Sequence, residues 1–221
     1  MPYPGNKFLI AVDCVILGFD GIQLQLLLVK RGISPEKGAW SLMGGFLTEN
    51  EDLDAAAIRV LKSLTGLSSV YMDQLRVYGQ RDRDSGGRVL SSSFYALIDS
   101  SKQRQNLSSE FEASWFALDE LPSLIFDHKK MVSDALSKLK ERATTKPIGF
   151  NLLPKKFTLP QLQSLYEAIF DKQFDKRNFS KRLLSTGALI KQTDKDKSAS
   201  KKGAYFYKFN PEIISKDFKF L

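Results

Sequence analysis

The chain opens on a long apolar run. Between Phe8 and Phe19 the only charged residue is Asp13, and a run of this kind predicts a buried strand. Further runs at Gln23–Lys30, Val70–Arg81, Val89–Ile98 and Ala113–Ala117 predict four more strands. Apolar positions recur at helical spacing over Leu53–Leu64 and Lys129–Arg142, which predicts two helices among them. Residues 101–108 form a polar loop. Pro147, Gly149 and Pro154 then interrupt any regular element, so a domain boundary is expected there, dividing the chain into 1–146 and 147–221. Within that link, Ile148–Leu153 is apolar enough for a short strand.

The second part predicts helix, helix and ribbon. Thr158 and Gln161 have the spacing of a capping box, and Leu162, Leu165, Tyr166, Ile169 and Phe170 make one apolar stripe behind it. Asp175 is a suitable N-cap for a second helix that buries Phe179, Leu183 and Leu184, with Gly187 at its end. The opposite face of that helix carries Lys176, Arg177, Asn178, Lys181 and Arg182. Two strands, Ala188–Thr193 and Ala204–Phe209, enclose a polar hairpin with Lys195, Lys197, Lys201 and Lys202.

Charge sharpens this division. The whole chain has a net charge of +8, yet residues 1–154 balance at 18 Lys+Arg and 18 Asp+Glu. The last 67 residues hold 15 Lys+Arg against 7 Asp+Glu, so the entire excess lies there and points to an acidic partner. A helical pair followed by a basic hairpin is the plan of a winged helix-turn-helix. Its second helix suits the major groove of double-stranded DNA, where Arg177 and Asn178 are the residue types that read guanine and adenine. The hairpin lysines are suited to phosphates. The bland alternative is a solvated basic surface. No aromatic platform argues for RNA.

Composition adds less. At 43% hydrophobic residues the chain can build a core, but the Phe8–Phe19 run is shorter than the roughly 20 residues of a membrane-spanning helix. No leader with basic residues before an apolar segment is visible, so a cytoplasmic protein without membrane attachment is expected. The single cysteine, Cys14, excludes an internal disulfide and is expected to be a buried apolar residue.

The candidate chemistry lies between Gly45 and Leu67. Gly45, Glu51, Arg59, Leu61, Gly66 and Leu67 fall on the spacing of a Nudix box, which this stretch resembles. In that pattern positions 60, 63 and 64 are glutamates, which on one helix face would hold a divalent cation. Here they are Val60, Ser63 and Leu64. No catalytic residue, metal site or cofactor is therefore expected. The alternative is a working Nudix hydrolase of ADP-ribose-type compounds that recruits Glu49, Glu51 and other carboxylates.

Flanking motifs extend the resemblance. Trp40-Ser-Leu-Met-Gly-Gly45 is similar to the usual entry to the box, with Met43 in place of proline. Arg81-Asp-Arg-Asp84, Gly86-Gly-Arg-Val89, Trp115–Pro122 and Phe126-Asp-His128 are similar to segments of ADP-sugar Nudix domains. Taken with the C-terminal plan, the chain resembles the Nudix-related transcriptional regulators. The resemblance implies an α+β fold, a Nudix α/β/α sandwich followed by a winged helix. It also implies a homodimeric repressor released from operator DNA by a small molecule. Two branches exist, one responding to ADP-ribose and one to L-arabinose. The segment Pro147–Pro154 with Phe157–Ile169 looks more like the arabinose branch. Expected effector contacts are Lys30, Trp40, Arg81, Asp84, Asp127 and His128, with Arg31 a further cation for a pyrophosphate. Each has a bland reading: Trp40 as core, Arg81 paired with Asp84, His128 capping the following helix.

Overall fold

A computed structural model describes residues 5–67, 70–100, 112–146, 148, 152–198 and 201–214. Strand β1 (Leu9–Phe19) is buried without a break from Val12 to Phe19. A strand covered on both faces has no need of polar alternation, and this one has none. Around it stand β2 (Leu24–Lys30), β3 (Trp40–Ser41), β4 (Met43–Phe46), β5 (Tyr71–Tyr78), β6 (Val89–Asp99) and β7 (Ala113–Ala117). The path runs β3-β2-β1-β6-β5, with β4 added to β1 and β7 to β2. The two-residue β3 and the four-residue β4 were too short to stand out as apolar runs.

Two glycines let β1 and β4 take close neighbours. In this antiparallel pair, Asp13 faces Gly44 and Val12 faces Gly45. A Cβ on Gly44 would collide with Asp13 Oδ1, so the carboxylate fits only because glycine stands there. A Cβ on Gly45 would lie 3.1 Å from Val60 Cγ2, so this second glycine lets helix α1 (Leu53–Thr65) sit close on the strand. Asp52 caps α1 by accepting from the Ala55 amide, and Gly66 ends it at φ 70°. Helix α2 (His128–Thr145) buries Met131, Val132, Ala135, Leu139 and Ala143 and runs three residues beyond its expected end.

The chain divides into two compact units: Met1–Leu17 with Leu26–Leu97 and Gln103–Ala135, and Gly18–Gln25 with Ile98–Lys102 and Leu136–Leu221. In the second unit, β8 (Phe157–Thr158), β10 (Ala204–Phe209) and β9 (Leu189–Asp196) form a sheet in that order. Helices α3 (Leu159–Phe170) and α4 (Lys176–Ser185) precede the ribbon, and a short α5 (Pro211–Ile214) follows it. The Thr158–Gln161 capping box is present in both directions. Leu162, Leu165, Tyr166, Ile169, Phe179 and Leu183 are buried as expected. Leu184 is not: it is 45% exposed, because one step along a helix turns it about 100° away from Leu183. The ribbon strand β9 runs on to Asp196, three residues past its expected end. Ile148 lies in a turn and Leu152 in a helical one, so neither belongs to the expected short strand; residues 149–151 and the polar loop at 101–108 lie outside the described residues.

Candidate functional site

A pocket of about 580 Å³ opens in the first unit, walled by β1, β4, the 30–38 loop and the 83–84 turn. Its closed end is built on Asp13. Ser91 Oγ donates to Asp13 Oδ2 at 2.5 Å, and Arg83 Nη2 lies 3.5 Å from the same oxygen. Arg83 makes its stronger bonds to Asp127, Nε to Oδ2 at 3.0 Å and Nη2 to Oδ1 at 2.7 Å. Its side chain is 2% exposed. A charge so buried is tolerable only when paired in this way. His128 completes the group. Its Nδ1 accepts from the Leu42 amide at 3.1 Å, which places the ring proton on Nε2, 3.8 Å from Asp13 Oδ1. Burial pushes its pKa below the ordinary 6.5, against the pull of Asp13, so the ring is neutral near pH 7.

The mouth has the opposite character. Lys37 is exposed, and Arg31 is held by its Nε bond to the Pro35 carbonyl at 2.6 Å and by the Phe126 ring 5.2 Å below its guanidinium. Lys30 Nζ pairs with Glu112 at 3.1 Å and lies 5.5 Å over the Trp40 ring. Cations therefore rim a pocket whose floor is a carboxylate.

Of the six expected effector residues, Lys30, Asp84 and His128 line this pocket. Asp84 is folded into its own turn, accepting from the Gly86 amide at 2.7 Å. Asp127 stands behind the wall, bound to Arg83. Trp40 and Arg81 are off it. Trp40 packs edge-on against Phe116 at 4.8 Å, and Arg81 is exposed and forms no ion pair with Asp84 among the described residues. His128 does not cap α2 with its side chain, which instead holds Leu42. Sequence reasoning passed over Asp13, Arg83, Lys37 and Phe126. Asp13 was visible as the one charge in a buried strand, whereas nothing local separates Arg83 from Arg81.

The Nudix-box helix turns two of its three replaced positions inward and leaves Ser63 exposed. Val60 and Leu64 are buried, at 3% and 0% exposed, and the Ser63 hydroxyl bonds back to the Val60 carbonyl at 2.8 Å. Glu51 is clamped by Arg59, Nη2 to Oε1 at 2.6 Å and Nε to Oε2 at 2.8 Å, and by the Thr48 amide at 2.9 Å. These bonds hold its pKa down at about 2. The residues do not fit a divalent cation, which needs several anionic oxygens. Among the described residues no three His, Cys, Asp or Glu side chains gather into a metal site.

In the second unit, Lys176, Arg177, Asn178, Lys181 and Arg182 are all exposed on α4, as are Lys195, Lys197, Lys201 and Lys202 in the ribbon. The turn before α4 is fixed by α3: Gln163 Nε2 donates to the Phe174 carbonyl and Glu167 Oε1 accepts the Phe174 amide, both at 2.9 Å. Asp175 then caps α4 through the Asn178 amide at 2.8 Å, which leaves the Asn178 side chain outward. On the ribbon, Lys191 and Lys195 bring their ammonium groups to 3.7 and 4.3 Å from the Tyr205 ring centre. Lys156 pairs with Asp194 at 2.7 Å. Among the described residues no helix is long and apolar enough to cross a membrane.

Comparison with known proteins agrees with both halves. The NUDIX domain family matches residues 7–135, and the family described as the NrtR DNA-binding winged helix domain matches residues 149–209. An ADPR responsive transcriptional repressor, NtrR, of Acinetobacter baylyi is 33% identical over 205 residues, covering 91% of this chain and 82% of that protein. The crystal structure of Shewanella oneidensis NrtR complexed with a 27mer DNA superposes with a TM-score of 0.86 at 28% identity, covering 96% of this chain and 99% of that one. The NUDIX domain of the same Shewanella protein, complexed with ADP ribose, gives a TM-score of 0.53 at 29% identity over 62% of this chain and 94% of that one. The expected α+β architecture, a Nudix sandwich followed by a winged helix, is therefore the one present. The likeness to the arabinose-responsive branch finds no support among these proteins.

Proposed function

Because the chain belongs to the Nudix family, in the group that ends in an NrtR-type winged helix, we propose that it is a transcriptional repressor that binds double-stranded operator DNA and is released from it by ADP-ribose. Residues 147–221 form the DNA-binding domain and 1–146 the effector domain. The observation that carries this reading is the pairing, on one chain, of an exposed Lys176/Arg177/Asn178/Lys181/Arg182 face with a pocket whose cations suit a diphosphate. Arg177 and Asn178 read bases in the major groove, and the ribbon lysines neutralise phosphates. The protein works as a cytoplasmic homodimer, which sets two α4 helices against two half-sites. It is not an enzyme, since Val60, Ser63 and Leu64 supply none of the oxygens that hydrolysis by a metal-bound water demands.

ADP-ribose is favoured over L-arabinose for an electrostatic reason. Among the described residues Arg31 and Lys37 have no carboxylate in salt-bridge range, so an uncharged sugar would leave their charge unneutralised, whereas a diphosphate neutralises it. The ligand must bind the DNA-free arrangement more tightly than the DNA-bound one, because equal affinity shifts nothing.

The test has two arms. Calorimetric titration with ADP-ribose and with L-arabinose should give saturable binding of the first alone. Duplexes selected from a random pool should bind with a steep salt dependence and dissociate on addition of ADP-ribose. Binding of arabinose alone would overturn the ligand. Turnover of ADP-ribose with Mg²⁺ that disappears in Glu51→Gln would overturn the non-enzymatic reading.

A further inference from the structure

The closed end of the pocket holds an acceptor that the described residues leave unused. A carboxylate offers about four lone-pair positions, and buried polar atoms are normally satisfied. Asp13 Oδ2 takes the Ser91 hydroxyl and the far edge of Arg83. Asp13 Oδ1 has no hydrogen-bond donor among the described residues. Its nearest polar neighbour is His128 Nε2, at 3.8 Å, and its other side abuts Gly44. The side chain is 9% exposed and lines the pocket. Neutralising Arg83 does not account for Asp13, since Asp127 already takes that guanidinium through two shorter bonds.

We propose that Asp13 Oδ1 accepts hydroxyl donors from the terminal sugar of the bound ligand, so that the pocket selects a nucleoside diphosphate carrying a free sugar diol. This inference rests on the reading of the pocket as an ADP-ribose site and fixes the ligand's direction in it. The diphosphate lies toward the half-buried Arg31 and the exposed Lys37, and the sugar points to the buried carboxylate. The reverse orientation would set phosphate against Asp13 in a site of low polarisability, a like-charge contact. Ser91, His128 and Gly44 are positioning residues. The serine fixes one carboxylate oxygen, the neutral imidazole adds no second cation beside the other, and the glycine makes room for it.

Wild-type protein is titrated by calorimetry with ADP-ribose, with its analogues lacking the 2- or the 3-hydroxyl of the terminal ribose, and with ADP. A hydrogen bond from a hydroxyl to a charged acceptor predicts that at least one deoxy analogue binds about tenfold or more weakly than ADP-ribose. Asp13→Asn, checked for native circular dichroism, should lose most of that discrimination. Equal binding of ADP-ribose and both deoxy analogues by the wild-type protein overturns the inference, whether or not the variant folds. Undiminished discrimination in a folded Asp13→Asn overturns it too. Absence of ADP-ribose binding to the wild type overturns the ligand reading itself, and this inference with it.

Discussion

Arg83 grips Asp127 through two parallel N–H donors, at 3.0 and 2.7 Å, and this pair forms one wall of the polar group that closes the pocket. The geometry is the planar fork that arginine makes with a carboxylate and lysine cannot. It joins the turn after β5 to the residue just before α2.

Removing this fork should destabilise the protein. Arg83→Met leaves the buried Asp13 and the half-buried Asp127 without their cation, a loss of about 3–5 kcal/mol by analogy with broken buried pairs. Urea unfolding at pH 7 measures it. Arg83→Lys keeps the charge but loses one of the two bonds, and should fall between wild type and Arg83→Met.

His128 should impose a pH dependence. Its folded pKa lies below 6.5, so below that value the unfolded chain binds a proton that the folded one refuses. Stability is full above pH 6.5 and declines as pH falls through 6.5 toward the folded pKa. Thermal melts between pH 7.5 and 5 should show this decline in the wild type and a flatter profile in His128→Gln. It is the only histidine in the chain, so that window has one histidine to answer for it.

Glu51 acts in a more acidic range. Its pKa is depressed to about 2, so its bonds to Arg59 and Thr48 contribute fully above the ordinary value of 4.5 and are lost as pH falls from there toward 2. Glu51→Gln should weaken the protein at pH 7 and remove that segment of the acid-unfolding curve. The control is an assay of ADP-ribose turnover, expected at background in both proteins.

The two basic elements should separate in DNA binding. Arg177→Ala, on the outer face of α4, should cost about 1–3 kcal/mol on the preferred duplex and relax its sequence preference. Lys201→Ala, in the hairpin, should weaken all duplexes alike and lower the salt slope by about one. Equal loss on every sequence for both variants would remove α4 from the base-reading role.

Tyr205 should matter through the two lysines it holds. Tyr205→Ala frees Lys191 and Lys195 from the ring, and the loss of two positioned ammonium groups should weaken duplex binding and flatten its salt dependence. Tyr205→Phe keeps the aromatic face and should behave as the wild type.

Much was legible along the chain because its signals are local. The Gly45–Leu67 spacing, the Thr158 capping box, the Asp175 cap and the basic face of α4 each depend on residues a few positions apart, and each is where the sequence placed it. The short strands β3, β4 and β8 escaped because two to four residues carry no period. Lys30 and Asp84 reached the pocket wall because each sits at the edge of a readable motif.

What the sequence determined alone is the order of elements, the family of the two domains and the absence of glutamates at positions 60, 63 and 64, since spacing and residue identity suffice for all three. What the tertiary structure decided is which charges meet. Asp13 comes from β1, Arg83 from the turn after β5, Asp127 from just before α2 and His128 from its first position, and only the β1–β4 register and the close approach permitted by Gly44 turn a lone aspartate in an apolar strand into the floor of a binding pocket.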